Sequence, residues 1–534
     1  MGRARGVVGL AFALLVLLAA GPGAPEYDVL IRGGTVVDGT GAPAYRADVA
    51  VKGDRIVRIS REPIAPESAR QVLNARGLVV APGFIDIHAH VESLHRRPLA
   101  ESALRQGVTS VAYAPDGRMP WPLGEYIANL REGGHAPNIA FFAGHNTIRE
   151  RVMGTENRAP TPEELERMKA MVAQAMEEGA VGISTGLRYV PGTYSETDEV
   201  IGLSKVAARY GGFYISHMRD EGEGSIESVR ELIQIAREAG LPAQVSHHKL
   251  MGQPQWGQSV ETLGLVDAAR AEGLDITLDQ YPYTATSTGT GVLFPSWALS
   301  GGTDALKERL ADPQTRAEIV EGIKRTIIEE RGGGDLSRIQ LASLSYNRSW
   351  EGKTFADIAE ERGVEPTLDF AAELAIEIQT NGGASGVWHV VDEEDVRRIM
   401  QHPWTMISSD GGLLTLGAGH PHPRGYGSFP RVLARYVREQ GVLSLEEAIR
   451  KMTSLPAWRL GQPERGRIAE GYFADITVFD ADQIEDKATF VDPHRYSVGV
   501  VHVLINGEAV IENRSLTGAK PGRVLTRETD RPST

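Results

Sequence analysis

The segment that decides the fold reads Gly83-Phe84-Ile85-Asp86-Ile87-His88-Ala89-His90. Its apolar residues favour a buried strand of a parallel sheet. Because alternate side chains of a strand point to the same face, His88 and His90 lie on one side, where both imidazoles can reach one metal ion. A single His-x-His pair is a weak signal, so the rest of the chain decides whether this pair binds metal.

Seven further apolar runs are similar to this strand, and most are separated by helix-like stretches such as residues 161–179. The eight runs span residues 84–87, 108–112, 139–142, 181–184, 213–216, 243–246, 276–278 and 406–408. Eight alternating units predict an α/β protein with a (β/α)8 TIM-like barrel. Residues 284–404 exceed one crossover, and we interpret them as an insertion after the seventh strand, of the kind that often forms a lid.

Both ends of the chain contain short β-like runs separated by turns. Neither end has enough strands to bury itself. We therefore expect residues 25–80 and 461–534 to pair into one small β-sandwich, the latter with a tail, beside a barrel formed by residues 81–460.

The composition and net charge limit the kinds of ligand and partner that we expect for this chain. The chain has 534 residues, of which 41% are apolar, and this is enough for a large core. Its formal charge of −14 repels polyphosphate and anionic lipid surfaces, so we expect a small-molecule substrate and no nucleic-acid partner. There is no cysteine, which excludes disulfides and thiolate metal ligands.

Residues 1–24 have the pattern of a cleavable signal peptide. Arg3 and Arg5 precede an apolar run over residues 7–20, and small residues follow it. The run is shorter than the roughly 20 residues that span a bilayer as a helix. We expect export to the periplasm or the exterior, without a permanent membrane span.

Polar residues follow the predicted strands at their carboxyl ends, where the active sites of barrels lie. They are His88, His90, Asp116, His145, His217, His247, His248 and Asp410. Each taken alone has another explanation, such as capping a loop or packing in the barrel wall. Together, so many imidazoles and carboxylates at one barrel mouth indicate a metal site, because burying them requires compensation.

Several motifs resemble the N-acyl-D-amino-acid deacylase (D-aminoacylase) branch of the amidohydrolase superfamily. They are residues 83–90, Gly186-Leu187-Arg188-Tyr189-Val190-Pro191-Gly192, Ser216-His217-Met218-Arg219-Asp220-Glu221-Gly222, Val245-Ser246-His247-His248-Lys249, Ser408-Ser409-Asp410-Gly411 and His422-Pro423-Arg424. The resemblance implies a metal-bearing barrel beside a β-sandwich. It implies that His217 and His247 bind a tightly held zinc, and that a second, weaker position is surrounded by His88, His90 and Asp410.

Asp116 marks a departure from that family. Many of these deacylases have a cysteine after the second strand, and aligning Gly107-Val108-Thr109 with the family's strand puts Asp116 at the cysteine position. An aspartate can bind or bridge zinc, but its oxygens are harder ligands than sulfur, so the metal's identity stays open. The alternative is a β-turn, because Pro115-Asp116-Gly117 is a good turn sequence.

The expected chemistry is attack by a metal-activated water on an amide. Zinc lowers the pKa of bound water and polarises the scissile carbonyl. Asp410 is the candidate general base, which then returns the proton to the departing amine. Ser184 and Ser216 lie on predicted strands and not on a sharp strand-to-helix turn, which argues against a covalent serine mechanism.

The resemblance also implies the groups that bind substrate. Lys249, Tyr281 and Arg424 match positions that bind the α-carboxylate, and Tyr189 and Ser287 match further pocket positions. Solvated surface side chains are the alternative for the first three. His248, His389, His420 and His422 are interpreted as structural or lid residues.

These observations predict a zinc-dependent hydrolase that converts N-acyl-D-amino acids into a carboxylate and a free D-amino acid. The D configuration comes from the resemblance alone. One alternative is a cyclic-amide or dipeptide hydrolase of the hydantoinase or dihydroorotase type, but residues 181–186 contain no lysine of the kind that bridges two metals in those enzymes. Another is a catalytically silent binding protein, which would have lost metal ligands or Asp410.

Overall fold

The structure, a computed structural model, describes residues 25–527. The predicted signal peptide, residues 1–24, lies outside the described residues, as do residues 528–534. Across the described range, no helix has both the length and the apolar character needed to cross a membrane.

The first five strands open a sheet at the amino-terminal end of the described chain. They are β1 (Tyr27–Val36), β2 (Tyr45–Lys52), β3 (Arg55–Ser60), β4 (Ala69–Asn74) and β5 (Val79–Pro82). β1 pairs antiparallel with β2 and parallel with both β4 and β5. Gly83 then connects β5 to the barrel, and a Cβ at this position would lie 2.2 Å from the side chain of Thr109. A glycine is therefore required where the chain enters the barrel.

Seven parallel strands follow, each paired with the next. They are β6 (Phe84–His90), β7 (Val108–Tyr113), β8 (Asn138–Gly144), β9 (Gly182–Gly186), β10 (Phe213–His217), β11 (Ala243–Val245) and β12 (Ile276–Gln280). The helices of this part are α1 (Glu101–Leu104), α2 (Leu123–Gly133), α3 (His145–Met153), α4 (Pro162–Glu177), α5 (Thr197–Arg209), α6 (Ser225–Ala239) and α7 (Ser259–Ala271). Every residue of β7 to β12 is buried, as expected for strands of a parallel sheet that is covered on both faces.

The segment after β12 contains its own small antiparallel sheet, in which β13 and β14 flank β15. Its elements are β13 (Thr286–Gly289), α8 (Gly302–Ala311), α9 (Pro313–Glu329), β14 (Ile339–Ser343), α10 (Phe355–Glu361), α11 (Leu368–Thr380), β15 (Ser385–Trp388) and α12 (Glu393–Gln401). α12 packs against α7, β12 and the eighth barrel strand. It is therefore the barrel's own crossover helix, and the inserted part ends before it.

The eighth barrel strand is interrupted. β16 (Thr405–Ile407) pairs with β12, and β17 (Gly411–Gly412) pairs with β6. The two pieces together close the barrel, so the prediction of a TIM-like barrel is confirmed. The break between them contains Asp410.

After the barrel the chain returns to the first sheet. Its elements are α13 (Arg424–Arg431), a π-helical continuation (Val432–Glu439), α14 (Leu445–Met452), α15 (Ser454–Arg459), β18 (Ile476–Phe479), β19 (Val500–Ile505), β20 (Glu508–Glu512) and β21 (Ser515–Leu516). β18 pairs antiparallel with β5, and both ends of the chain form one nine-stranded sheet. Apolar residues from both ends, including Val49 and Leu504, share one core within it.

Candidate active site

The predicted metal ligands come together at the carboxyl ends of the barrel strands. β6 ends with His88 and His90, β10 ends at His217, and the other ligands stand in the loops after β7 and β11 and in the break of the eighth strand. Two groups of donors result, with donor atoms within 4.8 Å of one another in each group: His88, His90, Asp116 and Asp410, and Asp116, His217 and His247. Asp116 is common to both.

Asp116 lies between four imidazoles. Its Oδ1 is 3.4 Å from Nε2 of His88 and 3.7 Å from Nε2 of His247. Its Oδ2 is 3.5 Å from Nε2 of His90 and 3.9 Å from Nδ1 of His217. Burial alone would raise the pKa of this carboxyl, but the positive charge of His88 and the nearby imidazoles of His247 and His217 hold it well below its usual range. Asp116 is therefore placed to contribute an oxygen to each donor group.

Several of these donor atoms have no hydrogen-bond partner among the described residues, although they are buried. They include both ring nitrogens of His88, Oδ1 of Asp116 and Nδ1 of His217. Buried polar atoms are nearly always partnered in proteins. Unpartnered imidazole nitrogens and carboxylate oxygens this close together form a donor set that suits a divalent metal such as zinc.

The protonation of the cluster is compatible with a cation. Burial lowers the pKa of His217 to about 3, which keeps its ring in the neutral form that binds metal. Burial also lowers the pKa of His88, but the negative charges of Asp116, Asp279 and Asp410 raise it to about 10. Three carboxylates around one imidazole therefore attract positive charge to this position.

Asp410 is held in a strained backbone conformation. Its φ is +48°, which is uncommon for a residue other than glycine. Its backbone N–H donates to the carbonyl of His88 at 2.9 Å, and His90 donates from Nε2 to its Oδ1, also at 2.9 Å. Arg424 is 2.7 Å from its Oδ2. Although burial raises its pKa, Arg424 and the histidines hold the pKa of Asp410 below its usual range, so the carboxylate is ionised.

Asp279, on β12, is a member of the site that the sequence did not predict. Its Oδ1 accepts hydrogen bonds from the backbone of His247 at 2.9 Å and from Oγ of Ser408 at 2.8 Å. The same oxygen is 3.5 Å from Nδ1 of His88. Carboxylates behind metal-binding histidines orient the rings. Its place at the carboxyl end of the seventh strand is the signal that could have identified it.

Glu221 is the second residue that the sequence analysis missed as a site residue. It lies 3.0 Å from Nδ1 of His247 and 3.5 Å from Nε2 of His217. Each imidazole thus has one nitrogen towards Asp116 and the other towards Glu221. The position of Glu221 four residues after His217, in a motif that carried the family resemblance, was the available signal.

Lys249 is predicted to bind substrate, and the structure shows it paired within the site. Its Nζ donates to Glu221 at 2.5 Å and to the carbonyl of His247 at 2.8 Å. Nζ also lies 2.7 Å from Nδ1 of His247. The side chain is buried. In this arrangement Lys249 links Glu221 to the loop that carries His247.

The other predicted substrate residues surround the same cavity. The ring of Tyr281 lies under the guanidinium of Arg424, 4.9 Å from ring centroid to Cζ, and its buried hydroxyl has no partner within the described part. Arg424 also donates to the backbone carbonyl of Ser287 at 3.2 Å. Tyr189 packs on His217 with 4.5 Å between ring centroids.

The cavity has a volume of about 510 Å³, which is in the usual range for a small-molecule site. All five predicted substrate residues line it, together with five of the six predicted metal ligands. His88, which is fully buried, lies beneath it.

The remaining strand-end and lid histidines have protein partners, and most lie apart from the cluster. His145 pairs with Glu199, His248 bonds Thr262, His420 donates to the carbonyl of Phe490, and His389 packs on the ring of Phe490. His422 lines the cavity, donates to the carbonyl of Ala285 at 3.0 Å and accepts the backbone N–H of Arg424, also at 3.0 Å.

The sequence model of the amidohydrolase family matches residues 71–511. The chain belongs to this amidohydrolase family. This amidohydrolase is 37% identical over 526 residues to N-acyl-D-glutamate deacylase from Alcaligenes xylosoxydans xylosoxydans, covering 94% of this chain and 97% of that protein. It is also 37% identical over 532 residues to D-aminoacylase from the same bacterium, covering 94% and 98%. The resemblance to the D-aminoacylase branch is confirmed.

Solved structures agree. The amidohydrolase superimposes with a TM-score of 0.80 on N-acyl-D-glutamate deacylase from Bordetella bronchiseptica, to which it is 34% identical. The comparison covers 94% of this chain and all of that chain. The Bordetella structure is a complex with zinc and a phosphonate mimic of the tetrahedral intermediate. With a D-aminoacylase crystal structure the TM-score is 0.79 at 35% identity, with the same coverage. Dihydropyrimidinase from Brevibacillus agri shares the fold, with a TM-score of 0.57 at 16% identity.

Proposed function

We propose that this amidohydrolase is a zinc-dependent deacylase, which hydrolyses the amide of N-acyl-D-amino acids to a carboxylate and a free D-amino acid. The observation that carries the proposal is the position of Asp116, which is shared by two groups of imidazole and carboxylate donors at the floor of a substrate-sized cavity. The relatives named above act on N-acyl-D-amino acids by their names, and they match nearly the whole chain. The D configuration comes from these relatives and not from any distance.

His217 and His247, with Asp116, would hold one zinc ion, and His88, His90 and Asp410 would surround a second position. A zinc ion bound there would lower the pKa of water and polarise the amide carbonyl. Asp116 supplies an oxygen where many relatives of this branch have a sulfur. Asp279 and Glu221 keep the imidazoles oriented through the contacts described above.

Asp410 is the proposed catalytic base and acid. It is ionised, so it can accept the proton of the attacking water at Oδ1 or Oδ2. It then delivers this proton to the departing amine nitrogen, because an amide nitrogen leaves poorly unless it is protonated. Its neighbours Arg424 and His90 hold the carboxylate in place through both oxygens.

The substrate's α-carboxylate would bind beside Arg424. The guanidinium provides two donors in a plane, and the ring of Tyr281, whose hydroxyl has no partner within the described residues, lies below it. Lys249 lines the same cavity, with its Nζ 5.6 Å from the centre of the Tyr281 ring. Tyr189 and Ser287 complete the predicted pocket.

The test is a panel of N-acetyl-D and N-acetyl-L amino acids assayed with zinc-loaded protein. We expect turnover of the D series and little of the L series, and loss of activity after chelation that added zinc restores. Equal or L-preferring turnover would refute the proposed preference for the D configuration. Undiminished activity of chelator-stripped protein would refute the proposed dependence on zinc.

We also infer that the protein is exported and that residues 1–24 are removed. The support is the pattern of Arg3 and Arg5 followed by an apolar run. The amino-terminal sequence of protein from the periplasm or the medium should begin near residue 25. A mature protein that begins at Met1 would contradict this inference.

A further inference from the structure

Of the residues that the structure describes, four Lys or Arg side chains line the cavity, and three of them are paired with carboxylates. The pairs are Arg118 with Glu150 at 2.5 Å, Lys249 with Glu221 at 2.5 Å, and Arg424 with Asp410 at 2.7 Å. The fourth is Arg331, which has no carboxylate of the described residues at ion-pair distance. The carboxylate of its neighbour Glu330 is taken by Arg188 at 2.6 Å.

The surroundings of Arg331 do not neutralise it. The residue is only 2% exposed, and burial lowers its pKa. One terminal nitrogen of Arg331 donates to the sulfur of Met251 at 3.3 Å, and its Cζ lies 5.7 Å from the ring of Trp388. Its Nε has no hydrogen-bond partner within residues 25–527. A thioether is a weak acceptor, and a buried charge without a counter-ion is destabilising. A guanidinium in this state at a cavity wall is suited to an anionic ligand.

Arg331 and Arg424 enter the cavity from different parts of the chain. Arg331 follows α9 in the inserted segment. It contacts Met251, whose backbone N–H donates to the carbonyl of Glu221 at 2.7 Å. Arg424 instead begins α13 and lies against Asp410. The cavity therefore offers Arg331 in addition to Arg424, the group to which the proposed function assigns the α-carboxylate, and this fits a ligand with a second carboxylate.

We propose that Arg331 binds the side-chain carboxylate of the substrate, so that the enzyme prefers N-acylated acidic amino acids, of the glutamate or aspartate class. This inference rests on the proposed function, in which Arg424 and Tyr281 take the α-carboxylate. Arginine suits the role because its planar fork binds a carboxylate bidentately. A neutral side chain of the same shape would leave Arg331 buried and uncompensated.

The experiment compares kcat/KM for N-acetyl-D-glutamate and N-acetyl-D-glutamine, which differ by one charge at nearly equal shape. Wild-type enzyme should favour the acid by about tenfold or more, as expected for a buried charge pair. Arg331→Met should bring the ratio close to one, mainly through a higher KM for the acid. Arg331→Lys should retain part of the preference, because it keeps the charge but not the fork. Arg118→Met is the matched control and should keep the wild-type ratio, because that arginine is already paired.

Three outcomes would overturn the inference. One is a wild-type enzyme whose kcat/KM for N-acetyl-D-glutamate is equal to or below that for N-acetyl-D-glutamine. This measurement needs no variant, so it tests the inference even if Arg331→Met does not fold. Another is an equal loss for both substrates in Arg331→Met, which would mean that Arg331 does not recognise the charge of the substrate side chain. The third is an Arg331-dependent preference for N-succinyl-D-alanine with none for the glutamate substrate, which would place the second carboxylate on the acyl side. Failure to cleave any N-acetyl-D-amino acid, glutamine and methionine included, would instead refute the proposed function.

Discussion

Lys249 donates from Nζ to Oε1 of Glu221 across 2.5 Å, and both side chains are buried against the predicted metal-binding histidines. The pair connects the loop after β10 with the loop after β11. Glu221 in turn faces the imidazole nitrogens of His217 and His247 that point away from Asp116. The orientation of two proposed zinc ligands therefore depends on one carboxylate.

Replacing Glu221 by Gln should weaken zinc binding. The amide keeps the size of the side chain but loses the charge that orients the two imidazoles and pairs with Lys249. We expect about a tenfold to hundredfold loss of zinc affinity or of activity, as for other residues behind metal ligands. The measurement is the zinc content per chain that remains after dialysis against a competing chelator. Glu150→Gln is the control, because Glu150 belongs to an exposed ion pair. Wild-type zinc retention would show that Glu221 has no such role.

Replacing Asp410 by Asn should lower kcat by about a hundredfold to ten-thousandfold, because the amide cannot accept the water's proton. KM should change much less. Steady-state kinetics on N-acetyl-D-amino acids with a parallel zinc measurement separates proton transfer from metal loss. Full kcat in a zinc-loaded Asp410→Asn protein would exclude Asp410 as the base.

Replacing Asp116 by Ala should remove the oxygen that the two donor groups share. We expect lower zinc content and a matching loss of deacylase rate. Asp116→Cys should retain zinc, since a thiolate is a good zinc ligand at the same position. Zinc per chain and activity are measured for both variants. Full metal and full activity in Asp116→Ala would show that the carboxylate does not replace a thiolate.

Lys451 predicts a pH dependence of stability. It is fully buried and donates to the carbonyls of His402 and Thr405, and burial lowers its pKa from 10.5 to about 8. Between these two values the unfolded state binds more protons than the folded state, so the free energy of unfolding rises with pH across this window. Below pH 8 the lysine is protonated in both states, so the destabilisation caused by burying its charge does not change with pH.

The measurement is the difference in unfolding free energy between wild type and Lys451→Met, taken by denaturant titration from pH 7 to pH 10. Other titrating groups cancel in this difference. The free energy of unfolding of the wild type should increase relative to that of the variant as the pH rises above about 8. Parallel profiles of the two proteins would show that Lys451 is protonated alike in both states.

The barrel was predictable because burial on both faces of its strands leaves continuous apolar runs in the sequence. The predicted runs fall on the observed strands, with small differences at the ends. The seventh run stops at Leu278, whereas β12 continues through Asp279 and Gln280. Asp279 extends the strand because its carboxylate accepts hydrogen bonds inside the barrel, from the backbone of His247 and from the hydroxyl of Ser408. The local pattern of hydrophobic residues does not predict a hydrogen-bond partner that is distant in the sequence.

The amino-acid sequence by itself determined which side chains reach the barrel mouth. The period of a strand puts His88 and His90 on one face, and the parallel arrangement brings Asp116, His217 and Asp410 to the same end. Only the tertiary structure decided which charges neutralise one another. Among the described residues Arg424 has a carboxylate partner and Arg331 has none, and this difference depends on contacts between segments far apart in the chain. Periodicity is a property of neighbouring residues, whereas charge pairing is a property of distances in space.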